Sequence, residues 1–246
     1  RNTSVIIHTK WFQNNEQGER QMVKDRIILI DCGKSFMQSA IAHFPAHGIT
    51  RLDAVVLTHG HADACFGMDD LRAVSARLPS GQSLPVYVRQ ADMGVLQSAF
   101  SYLMPSAAHD RFVANLSFNV FDPAQPLNVL GLELIPIEVE HGAGYTCLGY
   151  AFGDVVYISD LNRIYDHTRD LLNKRYKYGS LLHSATPEEI VAHQADPRIP
   201  MNTLIIDALF PSEPYPSHFS LEQAIAEIKA FRPLHALTVG MSHQMN

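Results

Sequence analysis

Two imidazoles and a carboxylate fall within one short stretch of chain, Leu57-Thr58-His59-Gly60-His61-Ala62-Asp63, directly after the apolar run Asp53–Leu57. On a loop leaving a strand, His59 and His61 can point the same way and chelate one cation, and the small residues Gly60 and Ala62 let the backbone come close. A mixture of nitrogen and oxygen donors suits Zn2+ or Mn2+. An H-x-H pair by itself is equally compatible with an accident of the surface. Other polar residues close later apolar runs: His141 follows Ile135–Glu140, Asp160 follows Val155–Ser159, and His243 lies just past Ala236–Gly240. Strand ends gathered at one edge of a sheet are where a rigid scaffold assembles a site from residues distant in sequence.

The elements that must do this alternate between strands and helices, with strands rich in Val, Ile and Leu, as expected of sheets covered by helices. Strands are predicted near Ser4–Thr9, Arg26–Asp31, Leu52–Thr58, Leu84–Val88, Leu116–Phe121, Leu127–Val139, Cys147–Phe152, Val155–Ser159, Thr203–Asp207 and His235–Val239. Gly153-Asp154 between two apolar runs predicts a tight hairpin. Ser35 before Phe36, Ala40, Ile41 and Phe44 predicts a helix that Gly48 ends. Thr186-Pro187-Glu188-Glu189 and Ser220-Leu221-Glu222-Gln223 are capping boxes that predict two more. The stretch from about 167 to 200 mixes Lys174, Arg175 and Lys177 with few strand signals and reads as an insertion or lid on a single domain spanning 1–246; its basic cluster reads first as a solvated face.

Composition limits what such a scaffold can serve. The 246 residues are 46% hydrophobic and 18% charged, which is the balance of an ordinary globular chain. The net charge of −6 supplies no broad positive field, so long nucleic acid and acidic membrane surfaces are disfavoured partners, while a small anion remains open. No apolar run approaches the roughly 20 residues that cross a bilayer. Three widely spaced cysteines, Cys32, Cys65 and Cys147, read as reduced thiols and point to a reducing, cytoplasmic setting. A homodimer is compatible with all of this.

The spacing T-H-x-H-x-D at Thr58–Asp63, with His141, Asp160 and His243 beyond it, resembles the metallo-beta-lactamase-fold hydrolases over nearly the whole chain. Within that superfamily, Gly67-Met68-Asp69-Asp70-Leu71-Arg72 and the ending Gly240-Met241-Ser242-His243-Gln244-Met245 are most similar to the cyclic-phosphate phosphodiesterases of phosphonate degradation. The resemblance implies an α/β fold, a four-layer αββα sandwich with a metal centre at one edge of two facing sheets. It implies that His59, His61 and His141 hold a first metal and that Asp160 bridges to a second bound by Asp63 and His243. Ala64 departs from the pattern, because the family places a histidine there and alanine cannot ligate. One or two divalent ions, Zn2+, Mn2+ or Fe2+, are therefore expected, with Cys65 a poor substitute because consecutive side chains point apart.

Carried further, the resemblance makes Asp63 the group that orients the attacking water and takes its proton. His218, just before the second capping box, becomes the acid for the departing alkoxide or a positive charge on the phosphoryl group. Asp31, followed by Cys32-Gly33, resembles the family's first motif and could hold the outer nitrogen of a metal-bound histidine. Lys34, Arg72 and Arg163 are candidate phosphate contacts, with a structural ion pair an equal reading for each. Asp207 reads as structural, and His8, His43, His47, His109, His167, His183, His193 and His235 read as ordinary residues. The function expected is a phosphodiesterase acting on a small phosphate ester, cyclic or open. A thioesterase or nuclease on the same fold, and a metal- or ligand-binding protein without turnover, stand as alternatives.

Overall fold

The computed structural model describes residues 3–15, 17, 19–104, 113–180 and 185–245. The chain divides into two compact units, one of residues 2–122 with 128–132 and the other of 123–127 with 133–246. Each has its own main sheet, which gives the mixed α/β, two-sheet architecture expected from the sequence.

In the first unit, Val5–Asn14 and Arg20–Ile30 pair antiparallel from Val5 opposite Ile30 outward. Ala54–Val56, Leu84–Arg89 and Leu116–Phe121 then add in parallel, in sequence order. The hairpin is longer than the apolar pattern predicts. Its outer half is polar and exposed, with Phe12 and Met22 open to solvent, whereas Ile27–Ile30 are buried. The helix Phe36–His43 starts where Ser35 predicts and the following turn closes at Gly48, whose φ of 64° is one glycine tolerates. A second helix, Gln90–Ala99, puts Met93 and Leu96 into a core with Leu29, Val55, Leu57, Met68 and Val86. Each such side chain contributes roughly 1.5–3 kcal/mol on burial.

In the second unit the strand order is Arg163–Ile164, Leu132–Glu140, Thr146–Phe152, Val155–Ile158, Thr203–Asp207, His235–Val239. The run predicted as one strand over Leu127–Val139 is broken by the left-handed pair Leu130 and Gly131, with φ of 54° and 99°. The predicted hairpin is present, with Phe152 opposite Val155 and Gly153 at φ 53°. Both capping boxes form, Thr186 on Pro187–Ala195 and Ser220 on Leu221–Phe231. The stretch read as a lid begins with the helix Asp166–Arg175, which buries Leu172 in this unit's core and binds Glu227 through both arms of Arg169.

This topology decides where polar strand ends lie. Leu132–Glu140 is antiparallel to Thr146–Phe152, which is antiparallel to Val155–Ile158. Two reversals restore direction, and Thr203–Asp207 and His235–Val239 then continue in parallel. The C-terminal ends of these four strands therefore share one edge, and the residues there or just beyond are His141, Asp160, Asp207 and His243. Among the described residues, no helix is long and apolar enough to cross a membrane.

Candidate metal centre

In the first unit the chain leaves the buried strand Ala54–Val56 through Leu57, whose N–H donates to the Tyr87 carbonyl, and turns at His61 into the short helix Ala62–Cys65. His59 is buried and His61 exposed, their ring centroids 4.6 Å apart and nearly perpendicular. The Nδ1 atom of His59 is 2.8 Å from Thr58 Oγ1, which lies 3.0 and 2.9 Å from the two oxygens of the buried Asp31 carboxylate. A hydroxyl has one proton, and Thr58 spends it on Asp31; Thr58 Oγ1 therefore accepts from Nδ1–H, which leaves Nε2 of His59 as the lone-pair nitrogen. Asp31 also accepts the Thr58 backbone N–H at 2.8 Å and sits at φ 64°. The Asp31 carboxylate thus reaches His59 through Thr58, and the pairing of Asp31 with Thr58, 27 residues apart, is one that sequence spacing does not reveal.

Asp63 is half-buried in the first turn of the short helix, and Lys34 and Arg72 are exposed. Ala64 is buried, and its carbonyl accepts the Cys32 N–H at 2.7 Å. The Cys65 thiol turns back to donate to the carbonyls of Gly60 and His61, and burial pushes it up to about 12. It is a protonated thiol rather than a stand-in for the histidine missing at Ala64.

In the second unit His141 and Asp160 are buried and His218 is partly so. One ligand atom from each lies within 4.8 Å of the other two. The Nδ1 of His141 is 2.6 Å from the Ser217 carbonyl, an acceptor only, so Nδ1 carries the proton. The Nδ1 of His218 is 2.7 Å from Asp207 Oδ2 and 3.6 Å from Asp160 Oδ1, and the His141 and His218 rings stand 4.8 Å apart. Asp207, read from sequence as structural, is therefore the partner of His218. Its signal was the one that flagged Asp160, a lone carboxylate closing an apolar strand. Burial pushes the Asp207 carboxyl up to about 6, against the pull of His218, and its Oδ1 has no hydrogen-bond partner among the described residues. His243 opens the exposed turn His243–Met245, Arg163 pairs with Glu140 at 2.7 Å, and His109 and His183 lie outside the described residues. Among the described residues, Asp63 and His243 belong to no close group of three metal-ligating side chains.

All three cysteines are free and buried, with Cys32 raised well above its ordinary value chiefly by burial and Cys147 donating to the Asp160 carbonyl at 2.9 Å. Because the thiolate is the reactive form, iodoacetamide at pH 8 is expected to leave the folded chain unlabelled and to label all three thiols in urea. Intact mass measures this, and rapid native labelling of Cys65 would contradict the placement of its thiol.

The chain is similar to known proteins in sequence and in fold. Residues 26–241 match the family described as a beta-lactamase superfamily domain. The octanoyltransferase of Porphyromonas gingivalis is 26% identical over 216 residues, which take in 88% of this chain but 37% of that protein. This chain therefore spans little more than a third of that relative. A crystal structure described as a new diphosphatase from the PhnP family superposes with a TM-score of 0.68 at 25% identity, covering 89% of this chain and 70% of that one. The metallo-beta-lactamase fold protein YhfI from Bacillus subtilis, at 19% identity and a TM-score of 0.58 over 96% of this chain and 79% of its own, shares the fold.

Proposed function

Since the chain belongs to the beta-lactamase superfamily, in the fold of its metal-dependent hydrolases, we propose that it hydrolyses a small phosphate ester with the help of one or two divalent cations. One observation carries the reading. His59, His141 and His218 each have Nδ1 committed to a fixed acceptor, which is how metal-binding histidines are held in one tautomer with Nε2 bare. With the carboxylates of Asp63 and Asp160, this donor chemistry fits Zn2+, Mn2+ or Fe2+.

The residues that would hold the cations are His59, His61, His141 and Asp160, with Asp63 and His243 completing a second position. When bound, such a cation polarises a phosphoryl oxygen and makes a water molecule ionise near neutral pH. Asp63 is the carboxylate that orients the attacking water and takes its proton. Asp207 holds the Nδ1 proton of His218, which leaves one nitrogen of that ring for one of two tasks. Giving a proton to the departing oxygen needs that nitrogen protonated, and binding a cation needs it bare.

Phosphate as the substrate class is supported by the resemblance to cyclic-phosphate phosphodiesterases and by the similarity to the diphosphatase, which also makes a phosphate anhydride the second reading. A net charge of −6 does not attract an anion, so the attraction must be local, from cations and from basic residues such as Lys34 and Arg72. The test is turnover of an aryl phosphodiester, a dinucleoside diphosphate and a thioester by protein purified without chelator. The diester is expected to be cleaved, chelation to abolish cleavage, and Zn2+ or Mn2+ to restore it. Thioester cleavage alone would replace phosphate with acyl chemistry, and chelator-resistant cleavage would remove the metal from the mechanism.

A further inference from the structure

Ala64 leaves the second metal position one nitrogen short of the family's pattern, and the neighbouring Cys65 thiol is turned back on the carbonyls of Gly60 and His61. An imidazole stands instead beside Asp160 and His141. We propose that His141, Asp160 and His218 form a divalent-cation site complete within the unit of residues 133–246, with His218 a metal ligand and not the proton donor.

The dipeptide Ser217-His218 carries the argument. The Ser217 carbonyl fixes the ring of His141, and the next residue brings its own ring to 4.8 Å from it. This short segment therefore orients one ligand and supplies another. It is held in place by the Leu209 N–H donating to the Phe219 carbonyl and by the bridge between Phe210 and Ser220, where the capped helix begins. Asp207 stands behind His218 as the outer carboxylate of a carboxylate–histidine–metal arrangement, which fixes the tautomer and makes the ring a stronger donor.

Asp160 and Asp207 are both buried and both approach the His218 ring at Nδ1, at 3.6 and 2.7 Å, which leaves its other nitrogen for a ligand's task. Two nitrogens and one oxygen leave coordination positions open for water or substrate, as metal sites that do chemistry require.

This site rests on the proposed function's premise that the chain binds a divalent cation and shares His141 and Asp160 with it; it does not depend on the substrate. The test is made in the full chain carrying His59→Ala and His61→Ala, loaded with Co2+. One tightly held Co2+ per chain is expected by elemental analysis, with two hyperfine-shifted, hydrogen-bonded imidazole N–H resonances from His141 and His218. Adding His218→Gln should remove the ion and its visible absorption while the far-ultraviolet circular dichroism is unchanged. No bound Co2+ in the double variant overturns the site. A single shifted N–H, which needs no change at His218, overturns its role as a ligand. So does a His218→Gln variant of the otherwise native chain that keeps its metal and loses only turnover, since His218 would then be the acid. Metal binding as expected with no phosphodiester cleavage in the native chain would sink the phosphate reading and leave this site standing.

Discussion

His59→Ala is expected to lower phosphodiester turnover by about a thousandfold, the scale set by losing a cation that supplies several kcal/mol of transition-state stabilisation. The ring is fully buried and held by Thr58, so its nitrogen is fixed in place rather than free to move. The substitution also leaves Thr58 Oγ1 without the N–H it accepts, a buried deficit of about 1–3 kcal/mol. Two controls separate chemistry from folding. Thr58→Val keeps the shape but cuts the connection to Asp31, and is expected to weaken metal binding by roughly 10–100-fold through loss of the outer partner. His47→Ala, at an exposed position, should change neither property. Initial rates, metal content and thermal midpoints on the four proteins decide the matter; a His59→Ala enzyme within tenfold of the native rate would remove His59 from the centre.

Gly67→Ala is expected to cause a large loss of stability. A Cβ there would lie 2.2 Å from the Gly33 carbonyl oxygen and 2.8 Å from the Cβ of Phe36. Neither neighbour is the movable end of a side chain. The φ of −96° is ordinary, so the constraint is closeness of approach rather than handedness. The two segments are stitched at this point, Cys32 N–H to the Ala64 carbonyl and Gly67 N–H to the Cys32 carbonyl. Pushing them apart separates Asp31 from the loop that carries Thr58 and His59. Overpacking of this kind costs about 3 kcal/mol or more, and a chain of this size should lose about 6–12 °C in thermal midpoint, with activity falling alongside. Gly94→Ala is the contrast, because it sits inside the helix Gln90–Ala99 with open space at its Cβ and should gain up to about 1 kcal/mol. Equal midpoints for the two variants would show that the contact at Gly33 yields freely.

What the sequence discloses follows how local each signal is. Thr186 and Ser220 announce their helices because a capping box is complete within four residues. The hairpin Val5–Asn14/Arg20–Ile30 runs past its apolar pattern because its outer half has no core to face and hence no alternation to display. The break at Leu130 is hidden for another reason: leucine seldom adopts positive φ, so only the following glycine hints at a turn. At the candidate centre, His59, His61, His141 and Asp160 are legible from strand-end placement and motif together. Their supports are less so: Thr58 looks like any strand threonine, Asp207 closes an apolar strand as Asp160 does but stands outside the motif, and the Ser217 contribution is a backbone carbonyl. Such partners are defined by the fold that assembles them.

Those supports differ in kind. His59 leans on an alcohol, His141 on an amide carbonyl and His218 on a carboxylate. The three acceptors rise in basicity in that order, and a ring that donates to a stronger base pushes more electron density onto its opposite nitrogen. The nitrogen opposite each acceptor is thereby graded as a base, weakest in His59 and strongest in His218, so that one residue type supplies three different donors.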